Sequence, residues 1–302
     1  MPSLWKFGGL TPIVVVQRAI NELGQDELST RSAALSYYFI LALFPMFLFL
    51  VSLIGLFAGP ESELRENILS ALGRMAPGLA SELVHSVVSE TSKASSHVKV
   101  GAGILGALWA ASAGMSAVVV SLNVVYKLKE TRPWWKQKLT VVGLTMGLAV
   151  LIILALGLIL YGGKIGQLVA MSVGLDDVFK VVWGVLQWPL SFAAMFLAFS
   201  LIYYFGPNTQ GSWHWVTPGA ALGVAIWLLA SLGFRLYLHF FNSYNATYGS
   251  LGAVIILLLW LYLTGVAILI GAELNWVIED EDRSIARHEA AIQRVQRQMK
   301  AA

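Results

Sequence analysis

Long uncharged stretches alternate with short charged ones along this chain, and the alternation predicts its elements. A helix rising about 1.5 Å per residue needs roughly 20 apolar residues to cross a bilayer core of about 30 Å. Runs free of Asp, Glu, Lys and Arg that meet this length extend from Ala33 to Ala58, Val100 to Tyr126, Leu139 to Gly163, Val181 to Phe234 and Ser250 to Ala272. The fourth is too long for one span, and Gly206, Pro207, Asn208, Thr209, Gln210, Gly211 and Ser212 break it into two helices joined by a turn. The pattern therefore predicts an all-α polytopic membrane bundle of six transmembrane helices at about 33–58, 100–126, 139–163, 181–205, 215–240 and 250–276. Residues 1–32 precede the 33–276 membrane domain, and 277–302 form a charged tail of helical propensity.

Between the first two spans lies a long connection, Gly59 to Lys99. Its apolar residues Leu64, Ile68, Leu72 and Met75, then Leu79, Leu83 and Val87, recur at helical spacing around Pro77-Gly78. Two amphipathic helices on the membrane surface account for that spacing. Asn242 to Gly249 reads as a polar turn between the fifth and sixth spans.

Composition supports the same class. Hydrophobic residues make up 57% of the 302 and charged residues 12%, against about 25% charged in an ordinary globular domain. Cysteine is absent, which excludes disulfides and cysteine-based metal or nucleophile sites. The net charge of +3 matters less than its placement. With the N-terminus inside, thirteen Lys and Arg fall on inner segments and six on outer ones, so the positive-inside rule places both termini in the cytoplasm. The basic stretch Lys127 to Lys138 is then topology rather than a nucleic-acid surface, with Trp134 and Trp135 as an interfacial anchor. Membrane lipid is the expected partner, and no nucleic acid and no cofactor are expected. In the second span, Gly103 to Ala107 and Ala110 to Gly114 have small-xxx-small spacing, which suits a central position in the bundle or a homo-oligomer contact.

Ordered local strings carry a resemblance. They are Ala34-Leu35-Ser36-Tyr37-Tyr38 with Phe44-Pro45, Leu108 to Gly114 reaching Asn123, Pro218-Gly219, Tyr244 to Gly249, and Gly271-Ala272-Glu273-Leu274-Asn275. In order and spacing the chain resembles the YihY/BrkB-like family of bacterial inner-membrane proteins, formerly labelled ribonuclease BN. The resemblance implies a six-helix fold in the bacterial inner membrane and leaves the activity open. Metal-dependent RNA hydrolysis needs clustered ligands around an open metal position. The histidines His85, His97, His214, His239 and His288 are scattered over different elements, so the ribonuclease reading is disfavoured and an enzyme is not expected. No Walker loop, dinucleotide fingerprint, paired-histidine metal helix or nucleophile elbow occurs.

Ionisable groups within spans are functional candidates by default, and here they are Arg235 and Glu273. Arg235 either snorkels to water or holds an anionic group from a cavity. Glu273 either pairs with Lys127, Lys129 or Arg31, or couples protons or binds substrate. Pro45 and Pro189 each delete a helix hydrogen bond and free a carbonyl, as kinks do in transporters and in plain bundles alike. Tyr37 reads as a belt anchor or cavity residue, Asn123 as an interhelical hydrogen bond or cavity residue, and Tyr248 as an outer cap or cargo contact. The leading expectation is a transporter or translocator of an amphipathic or anionic envelope-related cargo. The alternative is a non-transporting scaffold for envelope partners.

Overall fold

The structure, a computed structural model, describes residues 9–57, 97–173, 176–209, 217–240 and 244–301. Among these residues all regular structure is helical: α1 (Pro12–Gln25), α2 (Leu28–Phe57), α3 (His97–Val125), α4 (Trp134–Val173), α5 (Asp176–Phe205), α6 (Pro218–Phe240) and α7 (Tyr244–Ala301). The predicted amphipathic connection, 59–99, lies almost wholly outside the described residues. Among the described residues, five stretches are long and apolar enough to cross a membrane: Gly103–Val125, Trp134–Ala155, Val182–Phe205, Pro218–Tyr237 and Val254–Ile285. The remaining predicted span falls on α2, a helix of 30 residues with Pro45 inside it; α5 likewise contains Pro189. Large apolar side chains such as Leu105, Leu154, Val185 and Leu229 stand exposed along these helices, which is the surface a helical bundle presents to hydrocarbon.

Two elements differ from the sequence pattern. Tyr244 to Gly249, expected as a turn, is the first part of α7, because a polar residue at a helix end interrupts no backbone ladder and capping groups do not by themselves stop a helix. Within residues 1–32, α1 is a helix in its own right. Pro12 occupies its first turn, where a missing N–H costs nothing.

The chain divides into two compact units. One comprises Tyr37–Val118 and Arg132–Ala198. Its core gathers Phe49, Leu50, Leu108 and Ala149 from α2, α3 and α4, with Met46, Phe47, Ile104 and Val142 around them. Gly114 of α3 faces α2 closely enough that a Cβ there would stand 3.0 Å from the Ala42 Cβ, so one end of the small-residue stripe serves helix packing. No atom of the described residues lies within 4 Å of the corresponding positions at Gly103 and Gly106. Lys138 ties the start of α4 to α3: its ammonium donates to Ser112 Oγ at 2.8 Å and lies 3.9 Å from the Trp109 ring centroid, a cation–π contact.

The other unit comprises Met1–Ser36, Val119–Thr131 and Phe199–Ala302. Its centre is the α6–α7 contact, where Gly219 and Gly271 let the two backbones meet. A Cβ on Gly219 would run into the Gly271 carbonyl oxygen and the Asn275 side chain. The start of α6 is capped from two sides. Thr217 Oγ1 accepts from Ala220 N–H at 3.0 Å, and Asn275 Oδ1 accepts from Gly219 N–H at 2.9 Å. Asn275 Nδ2 in turn donates to Thr217 Oγ1 at 3.0 Å. The first-turn N–H groups that lack helical partners are thus satisfied by the cap and by α7, while Pro218 contributes none. We expect Thr217→Val to destabilise the protein by about 1–2 kcal/mol, and Thr217→Ser to restore most of the loss, read by thermal unfolding in detergent.

Candidate functional site

α1 packs its apolar stripe on α7. Val15 and Ala19 are buried against Leu274, Val277 and Ile278, and Arg18 pairs with Glu281 at 2.7 Å. Continuing the stripe at helical spacing brings Glu22 and then Asp26 onto the same face, and opposite them α7 presents Glu273. One carboxylate oxygen from each of Glu22, Asp26 and Glu273 lies within 4.8 Å of the others.

Burial makes this cluster unusual. Glu273 is 0% exposed and Asp26 8% exposed. Both oxygens of Glu273, and Oδ2 of Asp26, have no hydrogen-bond partner among the described residues. A buried polar group left without a partner costs roughly 1–3 kcal/mol, more if charged, and an ionisable one inside a membrane span is a functional candidate by default.

The nearby cation is Lys127. Its ammonium donates to Asp26 Oδ1 at 2.5 Å, lies 3.2 Å from Glu22 Oε2 and sits 5.2 Å from the Trp276 ring centroid. Burial pulls the lysine pKa down, but the hydrogen bonds and charges of Asp26 and Glu22 outweigh it and hold the group above its usual value. Lys127 therefore stays charged across the physiological range.

Backbone geometry aims both partners. Asp26 caps the C-terminus of α1, its N–H bonded to the Glu22 carbonyl, and Glu27 then turns the chain at φ 50°. At the end of α3, Lys127 N–H bonds Val124 O and Leu128 N–H bonds Asn123 O, the double closure of a Schellman motif. Lys127 holds its left-handed position at φ 54°, where glycine is the usual occupant. Strain of this kind, about 1–2 kcal/mol for an L-residue, persists where the side chain is needed.

On the other side of Lys127 opens a cleft of about 510 Å³ lined by Tyr126, Lys127, Leu128, Trp276, Asp280, Arg283 and Arg287. Its three cations are partly engaged: Arg283 with Glu279 at 3.1 Å, Arg287 with Asp280 at 3.7 Å.

Of the residues singled out in the sequence, Glu273 alone belongs to this cluster. Its expected pairing with Lys127, Lys129 or Arg31 does not form as a hydrogen bond. Lys127 is turned to the α1 carboxylates, and Arg31 Nε donates to the Asp26 backbone oxygen at 2.9 Å. Asn123 is buried and hydrogen-bonded through both its amide atoms, donating to Glu130 Oε2 at 2.9 Å and accepting from Asn208 N–H at 2.7 Å. Arg235 is exposed on α6. Tyr37 belongs to the other unit, exposed and edge-on to Tyr38 at 5.5 Å. The side chain of Tyr248 lies outside the described ones. Glu22 and Asp26 escaped notice because they precede the spans. The signal was present in the spacing of Val15, Ala19, Glu22 and Asp26 after Pro12.

Compared with known proteins, the chain matches the family model described as virulence factor BrkB over residues 19–294. It is 36% identical over 249 residues to YfkH of Bacillus subtilis strain 168, a protein named as ribonuclease-like, covering 82% of this chain and 89% of the relative. It is 28% identical over 268 residues to the UPF0761 membrane protein PSHAa0171 of Pseudoalteromonas translucida, covering 87% and 85%. A UPF0761 membrane protein of Idiomarina loihiensis is also 28% identical, over 222 residues, covering 72% and 74%. No solved structure matches the chain.

Proposed function

We propose that this chain, which belongs to the virulence factor BrkB family and is an integral membrane protein, is a transporter or translocator of an amphipathic, anionic envelope-related cargo. The carrying observation is Glu273, an ionisable side chain in a membrane helix, wholly buried and with both oxygens unpartnered. Keeping such a group costs stability, and transport supplies the reason to retain it. The adjoining cleft supports the class of cargo: Lys127, Arg283 and Arg287 offer ammonium and guanidinium donors to an anion, and Trp276, Tyr126 and Leu128 offer apolar surface. In this reading the protein resides in the bacterial inner membrane with both termini cytoplasmic, as the Lys and Arg distribution favours.

A ribonuclease reading, suggested by the name of the Bacillus relative, does not suit the site. A metal that cleaves RNA must leave a coordination position open to a phosphodiester, whereas Glu273 and Asp26, 0% and 8% exposed, are out of reach of a group of that size.

The test is reconstitution into vesicles of envelope lipid, with the movement of fluorescent phosphatidylglycerol and of a polyprenyl phosphate followed by quenching from outside. Wild-type protein is expected to speed at least one probe tenfold or more over empty vesicles, and Arg283→Ala with Arg287→Ala to slow it severalfold. Vesicles in which both probes remain in place would favour a scaffold instead.

A further inference from the structure

We propose that Glu22, Asp26 and Glu273 form a binding site for a hard divalent cation, with Lys127 as the resident cation that competes for it. The donors are all carboxylate oxygens, the set that suits magnesium, calcium or manganese rather than softer metals. Their mutual separation of at most 4.8 Å is within twice a calcium–oxygen distance of about 2.4 Å, so no two of them are too far apart to share one ion.

Proximity of acids alone would not make a site. The second observation is the state of the oxygens: Glu273, 0% exposed, contributes an oxygen to the cluster while both of its oxygens lack a hydrogen-bond partner, as does Asp26 Oδ2. No described N–H or O–H reaches them, and a bound cation would supply the partner they lack. Charge agrees. Three carboxylates meet the single ammonium of Lys127, so acceptors outnumber the resident cation, and a divalent ion brings twice its charge to the same oxygens. Position agrees too. Glu22 and Asp26 stand at the C-terminal end of α1, with no basic residue in its last turn. The helix macrodipole is negative there and repels carboxylates; a bound cation reverses that penalty.

Access runs past Glu22 and Lys127, whose side chains are 25% and 38% exposed. When the metal enters, the Lys127 ammonium is displaced toward the Trp276 ring, already 5.2 Å away, and toward the cleft bearing Asp280. Cation occupancy and the charge presented to the cleft are thereby linked through one side chain. The site can be measured without any cargo, so its failure and that of the transport reading are separable.

The experiment uses full-length protein in detergent, stripped with a chelator and titrated with Mn²⁺ by electron paramagnetic resonance. One Mn²⁺ per chain is expected, displaceable by Mg²⁺ or Ca²⁺. Glu273→Gln and Asp26→Asn should each weaken it tenfold or more. Lys127→Met should bind at least fivefold more tightly, a gain that misfolding cannot produce. Absence of bound Mn²⁺ in both the wild type and Lys127→Met, or an affinity that Glu273→Gln leaves unchanged, overturns the proposal.

Discussion

Replacing Glu273 by Met is expected to raise the thermal stability of the purified protein by several degrees while reducing transport tenfold or more. The two effects have one origin. Methionine fills a similar volume, so packing against α1 is kept. The substitution removes two buried oxygens that have no partner, worth roughly 1–3 kcal/mol as a desolvation cost, and it relieves repulsion from Asp26 and Glu22, whose oxygens lie within 4.8 Å. Replacing buried ionic groups by apolar ones of like volume is often stabilising for this reason. A residue kept against stability is kept for activity. Vesicle transport and a detergent melt on the same preparations check both halves. Lower stability with intact transport would make Glu273 a structural residue and remove the basis of the transport reading.

How much of this was legible beforehand depends on the range of the signal. The spans were, because hydrocarbon admits only long uncharged helices, and the runs from Val100, Leu139, Val181 and Ser250 all fall on helices that qualify. Glu273 was also legible as a charge inside such a run. Its surroundings were not. Asp26 and Lys127 are 101 residues apart, and neither lies in a span, so nothing local links them to α7. The same distance hides how the ammonium is shared: the sequence offers Lys127, Lys129 or Arg31 as a partner for Glu273, and Asp26, one turn beyond Glu22 on a short helix, takes the Lys127 ammonium. The polar run before Ser250 misled in the opposite way, since Asn and Tyr are as acceptable in the first turns of a helix as in a turn. Family strings carried information of a different kind. Pro218-Gly219 and Gly271 to Asn275, far apart in the chain, are brought together by a hydrogen bond from Gly219 N–H to Asn275.

That junction gives the largest structural effect. Gly219→Ala is expected to destabilise the protein by about 3 kcal/mol or more, at the upper end of overpacking costs, so that little folded protein accumulates in the membrane. Gly233→Ala on the same helix is expected to be neutral or to stabilise by up to about 1 kcal/mol. Both changes add one methyl to α6. At Gly233 no atom of the described residues lies within 4 Å of the new carbon, and alanine has the better helix propensity. At Gly219 the carbon meets the carbonyl oxygen of Gly271 and the Asn275 amide. A backbone oxygen in the middle of a membrane helix cannot swing aside, so α6 and α7 must separate. Separation breaks the Gly219 to Asn275 and Asn275 to Thr217 hydrogen bonds, and two capping groups lose their partners where water is scarce. Gly223→Ala should fall between the two, because its new carbon would meet the Phe199 ring and the Tyr203 hydroxyl at 2.8 Å, side-chain atoms that can turn. Expression level and melting temperature across these variants read the order directly. Glu273 sits between Gly271 and Asn275 on α7, so the surviving Gly219→Ala protein should also lose Mn²⁺ affinity, whereas Gly233→Ala should keep it. Equal melting temperatures for Gly219→Ala and Gly233→Ala would show that α6 and α7 do not meet through these glycines.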